Sequence, residues 1–185
     1  MGKHEVTRAV FLDRDGVINR PVVRDGLPFP PDTVEEFDIY EDVPAGCARL
    51  KAAGFLLVVA TNQPDVGRGT QTREQVESMH ATMQAALPQI DRVEVSYDPG
   101  GAAGDAPRRK PAPGMLLDAA DALGITLSAS FMIGDRWRDV DCGHAAGCRT
   151  VFIDRDYCET LRQPPNFIVR SFAEAVEAIL DAASA

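Results

Sequence analysis

Four short polar clusters in this 185-residue chain carry the residue types that moving a phosphoryl group requires. The first is Asp13-Arg14-Asp15-Gly16. Its two carboxylates stand two positions apart. A glycine directly behind them lets the chain turn, so both can face one crevice. Asp13 can then attack phosphorus as a carboxylate nucleophile. Asp15 can protonate the leaving oxygen and later activate water. The second cluster, Thr61-Asn62-Gln63, offers a hydroxyl and an amide, from Thr61 and Asn62, as donors to phosphoryl oxygens. The third, Arg108-Arg109-Lys110-Pro111, supplies Lys110 as a cation for the same oxygens. The fourth, Gly134-Asp135-Arg136, has Asp139 one helical turn beyond it. Asp13, Asp135 and a main-chain carbonyl make an oxygen-only set that suits Mg²⁺. Arg68, in Gly67-Arg68-Gly69, is a candidate substrate contact, because that loop is shaped for close approach to an anion.

These clusters are useful only if the chain brings them together. Apolar runs alternate with helical patterns from end to end. Strands are expected at Arg8–Asp13, Phe55–Thr61, Arg92–Tyr97, Ser130–Gly134 and Arg149–Ile153. Helices are expected at Val43–Ala53, Thr72–Leu87, Pro113–Leu123, Trp137–Ala146 and Ser171–Ala183. Gly54, Gly124 and Gly147 stand where helices stop, and Thr72 with Gln75 has capping-box spacing. The unbroken apolar run FLLVVAT suits a parallel strand covered on both faces. The pattern predicts an α/β fold: a Rossmann-like, open, mainly parallel sheet with helices on both faces. Ligands of such sheets bind beyond the carboxyl ends of the strands, where all four clusters fall.

Composition sets the outer bounds. The length allows one well-buried core, so residues 1–185 read as a single domain. Hydrophobic residues make up 45% and charged residues 25%, the ordinary globular mix. The longest apolar run, Phe55–Ala60, is too short to cross a bilayer, and the first residues show no signal-peptide core. Cys47, Cys142, Cys148 and Cys158 form no CxxC pair, so reduced thiols and a cytoplasmic location are expected. The net charge of −9 argues against nucleic-acid and anionic-membrane partners. That acidity lies away from the clusters. Around them, seven basic residues (Arg14, Arg68, Arg108, Arg109, Lys110, Arg136, Arg138) face five acidic ones (Asp13, Asp15, Asp65, Asp135, Asp139).

FLDRDGVIN, TNQ, RRKPAPGM and IGDRWRD together resemble the four motifs of the haloacid dehalogenase superfamily of phosphatases. In spacing they are most similar to its D-glycero-D-manno-heptose 1,7-bisphosphate phosphatase branch, kin to the histidinol-phosphatase domain. The resemblance covers roughly residues 8–155. It implies that Asp13 is the nucleophile and Asp15 the acid/base. It implies that the carboxylates of Asp13 and Asp135 and the main-chain carbonyl of Asp15 hold Mg²⁺. Thr61 and Lys110 would bind the transferring phosphoryl group. Asn62, Gln63 and the segment Pro21–Arg24 would face the substrate, and Arg109 and Arg136 would contact it. A large cap domain would be absent. Relatives carry a Cys/His zinc loop before the RKP segment. Here the stretch Tyr97–Pro107 has neither residue type, so no zinc is expected.

The implied substrate is a small phosphorylated sugar, first a heptose 1,7-bisphosphate, acted on by a monomer. Histidinol phosphate and a polynucleotide 3′-phosphate are the alternatives within enzymes, and the acidic charge disfavours the latter. A receiver-type signalling domain uses similar residues, but its phosphorylated aspartate ends a strand deep in the chain and needs no partner like Asp15. Cys142, His144 and Cys148 read as small core residues, and His80 reads as a helix-surface residue.

Overall fold

The computed structural model describes residues 6–101 and 106–184. In chain order the elements are β1 (Arg8–Leu12), β2 (Val22–Arg24), β3 (Leu27–Phe29), α1 (Val43–Ala52), β4 (Phe55–Asn62), α2 (Pro64–Arg68), α3 (Arg73–Ala86) and β5 (Arg92–Ser96). There follow α4 (Gly114–Leu123), β6 (Phe131–Gly134), α5 (Trp137–Ala146), β7 (Arg149–Ile153), β8 (Phe167–Val169) and α6 (Phe172–Ser184). Six strands form one sheet in the order β5-β4-β1-β6-β7-β8, with every pairing parallel.

Period-two alternation explains the layers. In β1, Val10 and Leu12 face one core with Leu57 and Val59 of β4, under α1, α3 and α6. Ala9 and Phe11 face the other with Val58 and Ala60, under α4 and α5. Both faces are covered, as the unbroken apolar runs predicted.

From β1 the chain builds outward through β4 and β5, then returns to β6 on the other side. That reversal opens a crevice at the carboxyl ends of β1 and β6, and the catalytic candidates follow those two strands.

Three elements were not expected from the sequence: the β2–β3 hairpin, the short α2 and the edge strand β8. The hairpin turns on Asp25 and Gly26, both left-handed at φ 51° and 74°. Asp-Gly between two apolar runs is a strong hairpin signal, here obscured by three-residue strands and Pro28. His80 is 3% exposed, not on the surface of α3 as expected, because it shares the buried face with Val76, Met79 and Met83. Cys142 and Cys148 are buried core residues, and no cysteine pairs with another among the described residues. No described helix is long and apolar enough to cross a membrane.

Candidate active site

β1 ends at Leu12, and the chain turns sharply after it. Gly16 adopts φ +89°, and a Cβ there would lie 1.8 Å from an oxygen of Asp135. Glycine is therefore required twice over: for the turn, and to let a carboxylate from β6 lie against the backbone. Gly134 plays a similar part, since a Cβ on it would fall 2.0 Å from Cβ of Asp139. The parallel pairing of β1 and β6 thus gathers carboxylates of Asp13, Asp135 and Asp139 within 4.8 Å of one another.

Lys110 reaches into this group from the loop before α4. Its Nζ lies 2.8 Å from Oδ1 of Asp13 and 2.7 Å from Oδ1 of Asp139. Lys110, Asp135 and Asp139 are all buried. Burial works against the ammonium, but the two carboxylates outweigh it and hold the Lys110 pKa above its usual value. Asp139 has its other oxygen on the backbone N–H of Arg136 at 3.0 Å, so both its oxygens are engaged.

Burial pushes the Asp13 carboxyl up to about 6, against the pull of Lys110. Asp135 is raised further, by burial first and then by Asp13 and Asp139. Neither oxygen of Asp135 has a hydrogen-bond donor among the described residues; the Tyr157 hydroxyl approaches without reaching bonding geometry. A buried carboxylate left in this state is costly unless a cation joins it. Three carboxylates against one lysine leave a deficit of positive charge. The donors are all hard oxygens, so the residues present fit Mg²⁺.

Asp15 is held very differently. Arg14 grips it through Nε and Nη2 at 3.1–3.2 Å, Asn19 donates at 3.0 Å and Gln63 at 2.8 Å.

Several expected substrate contacts have other partners. Gln63 is fully buried, and its amide donates to Asp15 and to Oγ1 of Thr61 at 2.9 Å instead of facing the cleft. Thr61 accepts that bond and keeps its own hydroxyl proton to donate. Asn62 lines the cleft, but its side-chain amide bonds reciprocally to the backbone of Lys110, at 3.0 Å each way. It fixes the loop that carries Lys110. Arg136 forms a two-point ion pair with Glu159 at 3.0 and 2.5 Å, though it still lines the cleft. Arg108 turns away to Glu94 and Asp118 and contributes no charge to the cleft lining.

The cleft has a volume of about 260 Å³. Its floor carries Asp13, Asp15 and Lys110, and its rim carries Arg68, Arg109 and Arg138. Arg68 bonds to Pro99 O at 3.0 Å and Arg109 to Asp98 O at 2.8 Å. Burial lowers the pKa of Arg109, and the nearby Arg138 and Arg68 charges lower it further. Asp65 pairs with Arg68 at 3.2 Å, which leaves Arg109 and Arg138 as the rim charge suited to an anion. Arg138 was not singled out as a contact in the sequence. Its place two residues past Arg136, in the first turn of α5, is the signal that could have found it. The hairpin wall comes from Leu27–Pro30 and not from Pro21–Arg24, where the substrate-facing loop was expected. Of the stretch Tyr97–Pro107, where no zinc was expected, residues 102–105 lie outside the described residues.

A family model described as HAD-hydrolase-like matches residues 107–175. The D-glycero-beta-D-manno-heptose-1,7-bisphosphate 7-phosphatase of Escherichia coli (strain K12) is 33% identical over 92% of this chain and 93% of its own length. The protein of the same name from Yersinia pestis is 35% identical over 80% of each chain. A crystal structure of D,D-heptose 1,7-bisphosphate phosphatase from B. bronchiseptica, complexed with magnesium and phosphate, superposes with a TM-score of 0.80. It is 26% identical and covers 96% of this chain and 99% of its own.

Proposed function

This chain belongs to the haloacid dehalogenase-like phosphatases, and we propose from that premise that it dephosphorylates a small phosphorylated sugar, D-glycero-D-manno-heptose 1,7-bisphosphate first among them. One observation carries the reading. A buried lysine bridges a cleft-lining carboxylate and a buried one, beside a third carboxylate with free oxygens and a fourth held by fixed donors.

The roles follow from that geometry. An oxygen of Asp13 attacks phosphorus, and the bond from phosphorus to the sugar oxygen breaks. Asp15 gives its proton to that departing oxygen. Asp15 then takes a proton from water, whose oxygen attacks the aspartyl-phosphate and releases inorganic phosphate from Asp13. Lys110 and Thr61 stabilise charge on the transferring group. Asp139 holds Lys110 in place, and Asn62 fixes its backbone. Mg²⁺, held by Asp13, Asp135 and the main-chain carbonyl of Asp15, would neutralise the repulsion between nucleophile and phosphate.

The arginine rim supports a substrate that bears a second anionic group outside the reacting centre. The cleft, about 260 Å³, suits a sugar better than a nucleic-acid strand. We take the enzyme to work as a cytoplasmic monomer of one domain, without zinc, since no Cys or His lies between Tyr97 and Lys110.

Phosphate release with Mg²⁺ tests this over heptose 1,7-bisphosphate, histidinol phosphate and a 3′-phosphorylated oligonucleotide. The bisphosphate should be turned over fastest. A clear preference for either competitor overturns the substrate reading. One tightly bound zinc per chain in elemental analysis overturns the reading of the 97–107 loop.

A further inference from the structure

Arg14 is the largest fully buried side chain in the described molecule, at 0% exposure. Its guanidinium has two working edges. Nε and Nη2 grip Asp15, as described above. Nη1 points away, to Nε2 of His80 at 3.2 Å. His80 comes from α3, sixty-six positions further along the chain. It sits at the base of a separate groove with Glu77 and Tyr97, and it does not line the catalytic cleft.

A guanidinium is donor-only and stays charged, so the nitrogen facing it must be an acceptor. That requirement fixes the tautomer. The ring proton belongs on Nδ1, which faces Oε2 of Glu77 at 3.7 Å, and the lone pair on Nε2 faces Arg14. Without that acceptor, one buried edge of Arg14 would have no partner on the α3 side. The guanidinium would then be held only by its grip on Asp15 and by the Phe37 ring, whose centroid lies 5.5 Å from its carbon.

We infer that His80 is a positioning residue for phosphoryl transfer: it holds Arg14 from behind, and Arg14 in turn fixes the Asp15 carboxyl in line with the leaving oxygen. The inference rests on reading Asp15 as the general acid. His80 touches neither substrate nor reacting atoms. Its effect reaches the chemistry only through proton donation, which gives it a signature that a packing role lacks. Loss of acid catalysis penalises poor leaving groups and spares good ones.

The test compares kcat/KM, which reports the first phosphoryl transfer, over a series from alkyl to nitrophenyl phosphates. Wild type, His80→Leu, His80→Gln and Asp15→Asn are measured together, with thermal melts as a folding control. His80→Leu should lose about 10-fold on alkyl phosphates and less than about 3-fold on the best leaving group, steepening the dependence in the direction that Asp15→Asn does. His80→Gln places an amide oxygen near the Nε2 position and should stay within about 3-fold of wild type throughout. An equal loss across the series, or none, overturns the inference while a steep Asp15→Asn series leaves the acid assignment intact. A flat Asp15→Asn series overturns both. Nitrogen-15 spectra of the imidazole in the unmutated protein give a check that needs no variant to fold. A proton on Nδ1 is expected, and a neutral ring with its proton on Nε2 overturns the inference.

Discussion

Asp15 and Asp135 belong to one site with Asp13, the nucleophile proposed above, and the protein treats them in opposite ways. Asp15 accepts from Arg14, Asn19 and Gln63. Asp135 is more deeply buried, yet both its oxygens lack a donor among the described residues. A carboxylate that must transfer a proton along one line needs its orientation fixed, and three donors fix it. A carboxylate that must accept a cation needs its lone pairs kept clear, and burial without donors keeps them clear. The cost of the second arrangement shows in the raised pKa of Asp135, caused by burial and by the Asp13 and Asp139 charges. Lys110 marks the boundary, for it reaches Asp13 and Asp139 at 2.8 and 2.7 Å, and Asp135 receives no bond from it.

The largest effect should come where the two halves meet. Asp13→Asn removes the attacking oxygen and should lower turnover by at least about 10⁴-fold while leaving the fold intact. Phosphate release and circular dichroism measure this, and substantial activity would remove the nucleophile around which the contrast is drawn.

The next prediction tests the contrast itself through stability in divalent-free buffer. Asp15→Asn leaves the buried Arg14 charge without its counter-ion and should cost about 3 kcal/mol. Asp135→Asn removes a buried charge that has no donor and should stabilise the metal-free protein by about 1 kcal/mol. Urea unfolding reads both. Loss of similar size in both variants would mean that Asp135 is as well satisfied as Asp15. Adding Mg²⁺ should raise the stability of the wild type and not that of Asp135→Asn, because only a folded site with that carboxylate binds the ion.

A smaller effect concerns the support behind Asp15. The His80 pKa is lowered from 6.5 to about 4, by burial first and by Arg14 second. Between those values the unfolded chain binds a proton that the folded chain does not. Stability should therefore fall as pH drops from about 6.5 towards 4, by about 2–3 kcal/mol from this group. His80→Gln should flatten that part of the profile in chemical denaturation. An unchanged slope would place the acid sensitivity elsewhere.

The sequence was informative where chemistry follows a strand. Asp13, Thr61 and Asp135 each end a run of apolar residues, and a parallel sheet forces such positions to one rim. Gly16 was legible as a turn, though its close approach to Asp135 needed the β1–β6 pairing to be seen. What stayed hidden was direction. Thr61, Asn62 and Gln63 are consecutive, yet Gln63 turns toward Asp15 and the Thr61 hydroxyl while Asn62 turns to Lys110. Adjacent residues in an extended chain must diverge, and which side meets which loop depends on pairing with β5 and on the docking of the Lys110 segment. His80 was hidden for a different reason. Its spacing from Val76 and Met83 places it on the buried face, but a polar residue there makes sense only once the buried Arg14 is known.

Gln63 supports the smallest prediction and the one that separates the two readings of this segment. If its amide works by holding Asp15, Gln63→Leu removes one of three donor residues and one bond to Thr61. Arg14 and Asn19 still grip the carboxylate. The loss should be about 1 kcal/mol in stability and roughly 10-fold in kcat, with KM nearly constant, because a donor to Asp15 acts on the transition state and not on ground-state binding. If instead the residue contacts substrate, as its motif position implies, KM should rise while kcat holds. The same variant of Asn62 provides the contrast: Asn62→Leu releases the backbone of Lys110 and should weaken phosphate binding itself, raising KM. Steady-state kinetics on the two variants therefore decide whether neighbouring amides serve the two halves of the site separately, Gln63 the proton donor and Asn62 the phosphate cation.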